Sequence, residues 1–293
     1  MRVILAFLTC VLIWGSTWYA IEWQLGHVSK EWSLTYRFVI AAVTIFLWCK
    51  LKGHSLSFGR DAHFRMAAAG FLFFSFNYFF VYWGTEYLTS GLVAVSFSLM
   101  AFFNILNGRL FLKTKIETRA MAASLIGVAG LVLIFLPEMQ GLDGSGNTPF
   151  GIMLCVLATI IASLGNTVIG SDKAKEISVI PFNTWGMAYG ALFNLSFALI
   201  QGDPPSLDPR PEYYVALFLL SIFGTVIAFS FYVWLIGQLG TARTAYIAVL
   251  TPLVALTIST LYEGYSWTLF AAAGVAMVIG GNILMIKSKK PAP

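Results

Sequence analysis

Long blocks of apolar residues alternate with short polar segments along the whole chain. Each block holds about 18–24 mostly apolar residues, and a helix of about 20 residues crosses the roughly 30 Å hydrocarbon core of a bilayer. The ten blocks cover residues 3–23, 32–51, 66–83, 87–108, 119–136, 149–170, 180–201, 213–236, 243–262 and 266–286. The pattern predicts an all-α integral membrane protein with ten transmembrane helices, called spans 1 to 10.

Composition agrees with a chain that lies almost entirely in lipid. Of its 293 residues, 58% are hydrophobic and 11% are charged, whereas soluble domains carry about 25% charged residues. Helices that are apolar on every side do not suit a soluble all-α protein. The three cysteines lie inside spans and imply no disulfide framework. Span 1 lacks a small-residue cleavage site, so we expect it to be retained and not removed as a signal peptide.

The distribution of lysine and arginine predicts the orientation. If the N-terminus is cytoplasmic, 15 of the 18 basic residues lie in cytoplasmic segments or at their borders. Only Lys30 and Arg210 fall on the opposite side, and Arg37 lies within span 2. Basic residues accumulate on the cytoplasmic side of membrane proteins, so both termini are predicted to be cytoplasmic. The net charge of +5 is then a topology signal, and we expect no nucleic-acid partner because no basic soluble face exists.

A polar stretch between spans 5 and 6 divides the chain into two sets of five spans. The predicted units are a first repeat at 1–136, a periplasmic linker at 137–148, and a second repeat at 149–293 that ends in a basic cytoplasmic tail. A shift of 150 residues aligns Gly15 with Gly165 and Thr17 with Thr167. Because five is odd, the second repeat must be inverted relative to the first. Inverted repeats around a site near the bilayer midplane are typical of secondary transporters.

Several motifs resemble those of the drug/metabolite transporter superfamily, EamA type. The stretch 245–284 is similar to its C-terminal signature, with Pro252 in span 9, Glu263 after it and Gly280–Gly281 in span 10. "LIWGSTW" resembles the family's span 1 and "YRFVIAA" its span 2. The first repeat departs from the signature, since Phe102 and Lys113 stand where Pro252 and Glu263 would map.

"FNILNGRLF" in span 4, together with the aromatic-rich spans, resembles the bacterial aromatic amino-acid exporter branch. The resemblance implies ten helices, a central cavity lined by spans 1–4 and 6–9, and export of small metabolites across the bacterial inner membrane. We expect no cofactor and no obligate protein partner, so the expected partners are a small-molecule substrate and the lipid bilayer.

Polar and aromatic side chains within the spans are the candidate substrate-binding residues. They are Trp14, Thr17, Trp18, Asn77, Tyr78, Tyr82, Asn166, Trp185, Tyr189 and Tyr246. On a helix, Trp14, Thr17 and Trp18 share one face. The alternative is that these residues only pack and hydrogen-bond between helices, as small and polar residues do in lipid, or that Trp18 belongs to an aromatic belt at the interface.

Three further residues are candidates for gating. Gly15 and Gly165 are repeat counterparts, and Pro252 removes a backbone hydrogen bond near the middle of span 9. The alternatives are close helix packing for the glycines and a static kink for the proline.

Arg37 is the only basic residue well inside a span, roughly 8 Å from its outer end at the usual helical rise. It either extends its head to the interface, forms an outer-end charge pair with Glu22, or meets a substrate carboxylate.

The spans lack the residues that an enzyme or a proton-coupled carrier needs. No Asp or Glu lies near the centre of a span, and no metal-ligand spacing, phosphate-binding loop or nucleophile elbow occurs. We therefore expect no metal site and no enzymatic activity. The predicted function is export of amino acids, aromatic ones included, by alternating access and facilitated diffusion. The alternatives are export or antiport of a drug, nucleoside or organophosphate, and, in a different class, a membrane-embedded lipid enzyme or a scaffold.

Overall fold

The chain is described here by a computed structural model that covers residues 2–140, 147–171, 174, 176–244 and 246–288. These residues form helices and connecting loops, and no strand occurs among them. The helices are α1 (Arg2–Glu22), α2 (Lys30–Leu51), α3 (Arg60–Gly84), α4 (Ser90–Leu112), α5 (Thr118–Gln140), α6 (Thr148–Ile169), α7 (Val179–Gln201), α8 (211–244), α9 (Tyr246–Tyr262) and α10 (Leu269–Ser288).

The all-helical prediction is confirmed, and every apolar block falls on a helix. Seven helices, α1 to α6 and the first part of α8, are long and apolar enough to cross a membrane. Two shorter apolar helices, Ile247–Tyr262 and Leu269–Leu284, accompany them. Helix α7, which has 23 residues, is not among these seven. Ten membrane spans with cytoplasmic termini stay a prediction.

Two helix boundaries differ from those of the apolar blocks. Residues 237–242 separate two blocks, but α8 continues through them to Thr244 and α9 begins at Tyr246, because no proline interrupts this stretch. Helix α5 continues past Pro137 to Gln140 and α6 begins at Thr148, so both helices extend into the predicted linker 137–148, which stays a prediction as the division between the repeats. Linker residues 141–146 lie outside the described part of the chain.

The third helix of each half contains a π-helical stretch, which the sequence pattern did not reveal. In α3 it covers Leu72–Phe76, and in α8 it covers Leu219–Ile227. A π-turn widens the helix and leaves room for side chains to contact its backbone, and such turns are frequent at functional sites. Both stretches border the cavity described below.

Helix–helix contacts made by one half of the chain correspond to contacts made by the other half. Helix α1 packs on α8 and α9, and α6 packs in the same way on α3 and α4. Helix α2 packs on α7, and α5 packs on α10. Replacing each helix by the one five places away therefore preserves these contacts, as expected of two repeats related by a pseudo-two-fold axis.

Arg210 joins the loop before α8 to the end of α1. Its guanidinium donates to both carboxylate oxygens of Asp208, at 2.9 and 2.6 Å, and to the carbonyl oxygen of Leu25 at 2.8 Å. These hydrogen bonds hold the pKa of the Asp208 carboxyl below its usual value. The ion pair fixes the α7–α8 loop against the α1–α2 loop on one end of the bundle.

Candidate substrate site

A cavity of about 480 Å³ lies between the two sets of five helices, within the range of small-molecule sites. It is lined by Trp14, Thr17, Trp18, Ile21, Arg37, Phe73, Asn77, Tyr78, Ala94, Phe97, Ser98, Met100, Ala101, Asn104, Ala162, Asn166, Gly224, Phe229, Tyr232, Ala248, Val249, Thr251, Pro252 and Asn282. Both halves contribute residues to this one cavity. Helix α7, which the resemblance implied would line the cavity, contributes no described residue to it, whereas α10 contributes Asn282.

Trp14 anchors an aromatic wall on one side of the cavity. Its indole Nε1 donates a hydrogen bond to the carbonyl oxygen of Gly224 at 3.0 Å, within the π-helical stretch of α8. The Trp14 ring lies 5.3 Å from that of Phe229 and 5.2 Å from that of Tyr232. The tryptophan side chain thus ties α1 to α8 across the two repeats and exposes ring surface to the cavity.

A second aromatic pair lies on the neighbouring wall. The rings of Trp18 and Phe97 are 4.8 Å apart, and Phe97 begins a short 3-10 segment in α4. Thr17 also lines the cavity, with its hydroxyl donating to the carbonyl oxygen of Trp14 at 2.8 Å. The face of α1 that carries Trp14, Thr17 and Trp18 therefore points into the cavity.

Polar groups without partners are concentrated in this cavity wall. The amide oxygens of Asn77 and Asn104 and the hydroxyl of Ser98 are buried and form no hydrogen bond within the described protein. Asn166 differs, because its Nδ2 lies 3.0 Å from the sulfur of Met100. Buried polar groups are rarely left unpaired in proteins, so these side chains are suited to a polar ligand.

Arg37 lies at one end of the cavity and is only 3% exposed. The guanidinium carbon is 4.6 Å from the centre of the Tyr78 ring and 5.3 Å from that of Phe38, and the hydroxyls of Tyr78 and Tyr82 lie near it. Its Nε and Nη1 atoms have no partner. Arg37 therefore does not extend to the membrane surface.

The predicted charge pair between Glu22 and Arg37 does not form, because each side chain has other neighbours. The Glu22 carboxyl instead contacts that of Glu263. Glu263 also accepts hydrogen bonds from the backbone N–H of Ser90 at 2.9 Å and from the hydroxyls of Ser90 and Ser259. This cluster joins α1, α4 and α9 beyond the end of the cavity where Arg37 lies.

Three predicted cavity residues lie elsewhere. Tyr82 is fully buried and donates to Gln24 Oε1 at 2.5 Å. Trp185 donates to the carbonyl oxygen of Leu56 at 3.0 Å, and the Tyr189 hydroxyl lies 2.9 Å from Nδ1 of His63. These α7 residues face α3 and the loop before it because α7 packs behind α2 and α3. The side chain of Tyr246 lies outside the described part of the chain.

The candidate gating residues have different surroundings. A Cβ on Gly15 would lie 2.5 Å from Val254 of α9, and one on Gly165 would lie 2.9 Å from Phe73 of α3. Neither glycine lines the cavity, so both contribute close helix contacts. Pro252 does line it, inside α9.

Sequence reasoning missed Phe97, Asn104, Phe229, Tyr232 and Asn282. Asn104 and Asn282 had a usable signal, because an amide inside an apolar span needs a partner. The aromatic residues had none, since similar rings occur on every helix. Within the described residues no group of His, Cys, Asp or Glu side chains is arranged to hold a metal ion.

Comparison with known proteins supplies the family. A family model described as EamA-like transporter family matches residues 1–136 and 149–287. The uncharacterized transporter YoaV of Bacillus subtilis is 24% identical over 87% of this chain and 86% of its own length. The uncharacterized inner membrane transporter YedA of Escherichia coli K12 is 25% identical over 97% of this chain and 90% of its own. YetK, another uncharacterized B. subtilis transporter, is 28% identical over 87% and 78%.

A solved crystal structure has the same fold. It superposes with a TM-score of 0.68 at 17% identity and covers 97% of this chain and 96% of its own. The identity is low, so this likeness supports the fold alone. The two family matches together cover nearly the whole chain, and they meet in the cavity that both halves line. The chain belongs to the EamA-like transporter family and is a membrane transporter built from two repeats.

Proposed function

We propose that this transporter exports amino acids, aromatic ones included, from the bacterial cytoplasm by alternating access and facilitated diffusion. The observation that carries the proposal is the cavity, which combines aromatic rings with unpaired amide and hydroxyl groups. Such a wall can accept an apolar side chain and a polar head group in one molecule. The resemblance of "FNILNGRLF" to the aromatic amino-acid exporter branch supports the same substrate class.

The shape of the cavity supports loading from the cytoplasm. At one end the lining residues Ile21, Arg37 and Ala94 are buried, and the Glu22–Glu263 cluster lies beyond them. At the other end Ala248, in the first turn of α9, is exposed. The predicted topology places this open end on the cytoplasmic side. An exporter in this conformation would receive its substrate there, consistent with one state of an alternating-access cycle.

The charges of the cavity support transport without a coupled proton. Arg37 is the one formally charged side chain among the described lining residues, and no carboxylate is among them. A carrier that moves protons with its substrate usually keeps a titratable group at its site. A phosphorylated substrate would call for several cations, so the cavity disfavours an organophosphate.

The test is counterflow in proteoliposomes. Vesicles loaded with unlabelled L-phenylalanine should take up external labelled L-phenylalanine faster than protein-free vesicles do. An imposed pH step or a valinomycin-set potential should change the initial rate by less than about twofold, because a zwitterion crosses without net charge. A panel with L-alanine, a nucleoside and a sugar phosphate reports the selectivity.

Several results would overturn the proposal. Exchange of the sugar phosphate but of no amino acid would favour an antiporter of phosphorylated metabolites. Accumulation of phenylalanine driven by a pH gradient alone would show a proton site. Absence of flux for every solute would favour a scaffold, and altered lipids in the vesicles would favour an enzyme.

A further inference from the structure

Arg37 is a buried cation without a counter-ion. The described structure places no carboxylate against its guanidinium, and its neighbours are the rings of Phe38 and Tyr78 and two tyrosine hydroxyls. Its Nε and Nη1 atoms are buried and make no hydrogen bond. Two nitrogens of one guanidinium, which carry three N–H donors, are thus left unused at the closed end of the cavity.

An arrangement of this kind is costly unless a ligand completes it. A buried charge without a partner costs several kcal/mol, and ionisable residues within membrane helices mark substrate pathways. Packing alone would be served better by leucine or methionine at this position. The rings beside Arg37 stabilise its charge through cation–π contacts, but they do not satisfy the N–H groups of Nε and Nη1.

We infer that Arg37 binds the carboxylate of the transported molecule at the closed end of the cavity. The inference rests on the proposed function, because it assumes that the molecule bound in this cavity is the transported substrate. A guanidinium presents parallel N–H donors that match the two oxygens of a carboxylate. The Tyr78 hydroxyl lies near the same guanidinium and Tyr78 lines the cavity, so it is a second donor for the same anion.

The ligand class follows from the number of charges. Arg37 is the single cation among the described residues that line the cavity, so one carboxylate balances it. A phosphate monoester carries nearly two negative charges at neutral pH and would leave one of them uncompensated. A dicarboxylate would do the same.

The rest of the site suits the ammonium group of an amino acid. The amide oxygens of Asn77 and Asn104 are buried acceptors without partners, and both residues line the cavity. Uncharged acceptors of this kind can hold an ammonium without a carboxylate of the protein. The substrate class is therefore a monocarboxylate with its carboxylate on Arg37 and, in an amino acid, its ammonium group on these neutral amide oxygens.

The first test is binding and uses the unmodified protein. Calorimetry on purified transporter in detergent compares 3-phenylpropanoate with 3-phenylpropanamide, which differ only in the head group: a charged carboxylate with two acceptor oxygens against a neutral amide with one. The carboxylate should bind at least about tenfold more tightly, because hydrogen bonds to a charged partner are roughly twice as strong as neutral ones. Equal binding of the two compounds, or binding of neither, would overturn the inference.

The second test uses variants of the arginine. Arg37→Gln should abolish the preference for the carboxylate. Arg37→Lys keeps the charge but loses the parallel N–H donors of the guanidinium, so it should retain part of the preference. Arg109→Gln is the matched control, because Arg109 is exposed near the end of α4 and does not line the cavity. An Arg37→Gln protein that elutes as a single species and still prefers the carboxylate would contradict the assignment.

Stability separates binding from a structural role. If Arg37 serves the ligand, its replacement by glutamine should leave the melting temperature of the ligand-free protein unchanged or raise it, and a large decrease would indicate a structural residue. Failure of the proposed function has a different signature: no phenylalanine flux in proteoliposomes while the carboxylate preference and its loss in Arg37→Gln persist.

Discussion

At the scale of single residues, Trp14 and Trp185 can be compared directly because their indoles make equivalent hydrogen bonds. Each indole donates one hydrogen bond of 3.0 Å to a backbone carbonyl of another segment, Trp14 to Gly224 and Trp185 to Leu56. Both were predicted to line the cavity, and only Trp14 does. The same type of hydrogen bond, from an indole N–H to a backbone carbonyl, thus occurs once in the cavity wall and once outside it.

Replacing each of these tryptophans by phenylalanine should separate the two roles. Trp14→Phe removes the bond to the π-helical stretch of α8 and part of the cavity wall, and we expect about fivefold slower counterflow, since a hydrogen bond contributes about 1 kcal/mol. Trp185→Phe loses an equivalent bond outside the cavity and should change the rate less than about twofold. Initial rates are measured at equal protein per vesicle. A larger effect of Trp185→Phe would count against this cavity as the transport site.

At the scale of elements, helices α5 and α10 pack mainly on each other. Their backbones approach closely where Gly130 meets Gly274, and a Cβ on Gly130 would lie 2.6 Å from the carbonyl oxygen of Gly274. Small residues allow such contacts in lipid, where packing holds helices together. Gly127 lies one turn away on the same helix, and a Cβ there would meet nothing within 4 Å.

Alanine at these two positions should have opposite effects. Gly130→Ala forces α5 away from α10 and should lower the free energy of unfolding by about 1–3 kcal/mol, as overpacking does. Gly127→Ala should be neutral or slightly stabilising, because alanine favours helix. The fraction of protein that stays monodisperse in detergent is measured as a function of temperature, and the resulting melting curves of the two variants are compared. Equal melting curves would show that the two helices do not approach as described.

At the scale of the whole molecule, the distribution of lysine and arginine predicts one orientation in the membrane. Leu207 in the loop before α8 is 76% exposed and is predicted to be periplasmic. His54 in the loop after α2 is exposed and is predicted to be cytoplasmic. The native cysteines Cys10, Cys49 and Cys155 are fully buried, so they should react little with a water-soluble reagent.

Cysteine labelling tests this orientation in bacterial cells. A membrane-impermeant maleimide should label Leu207→Cys in intact cells, and His54→Cys only after the membrane is permeabilised. The unmodified protein is the control for the native thiols. Labelling of His54→Cys in intact cells, with Leu207→Cys protected, would show that the orientation is reversed.

The sequence by itself determined that the chain forms apolar helices and where most of them lie. The physical reason is that the backbone must satisfy its hydrogen bonds internally in lipid, so a long apolar block has one structural solution. It also identified residues that are unusual in lipid, such as Trp14, Asn77 and Arg37. The π-helical stretches escaped it, since their apolar residues differ in no way from those of an α-helix.

Only the tertiary structure decided which of those residues share a site. Periodicity places Trp185 and Tyr189 on one face of α7, but α7 is packed behind α2 and α3, so that face never reaches the cavity. The same packing brings Glu22 to Glu263 and leaves Arg37 without a carboxylate. A helix that is apolar on most sides does not encode which face meets a partner, and only the arrangement of all its neighbours settles that face.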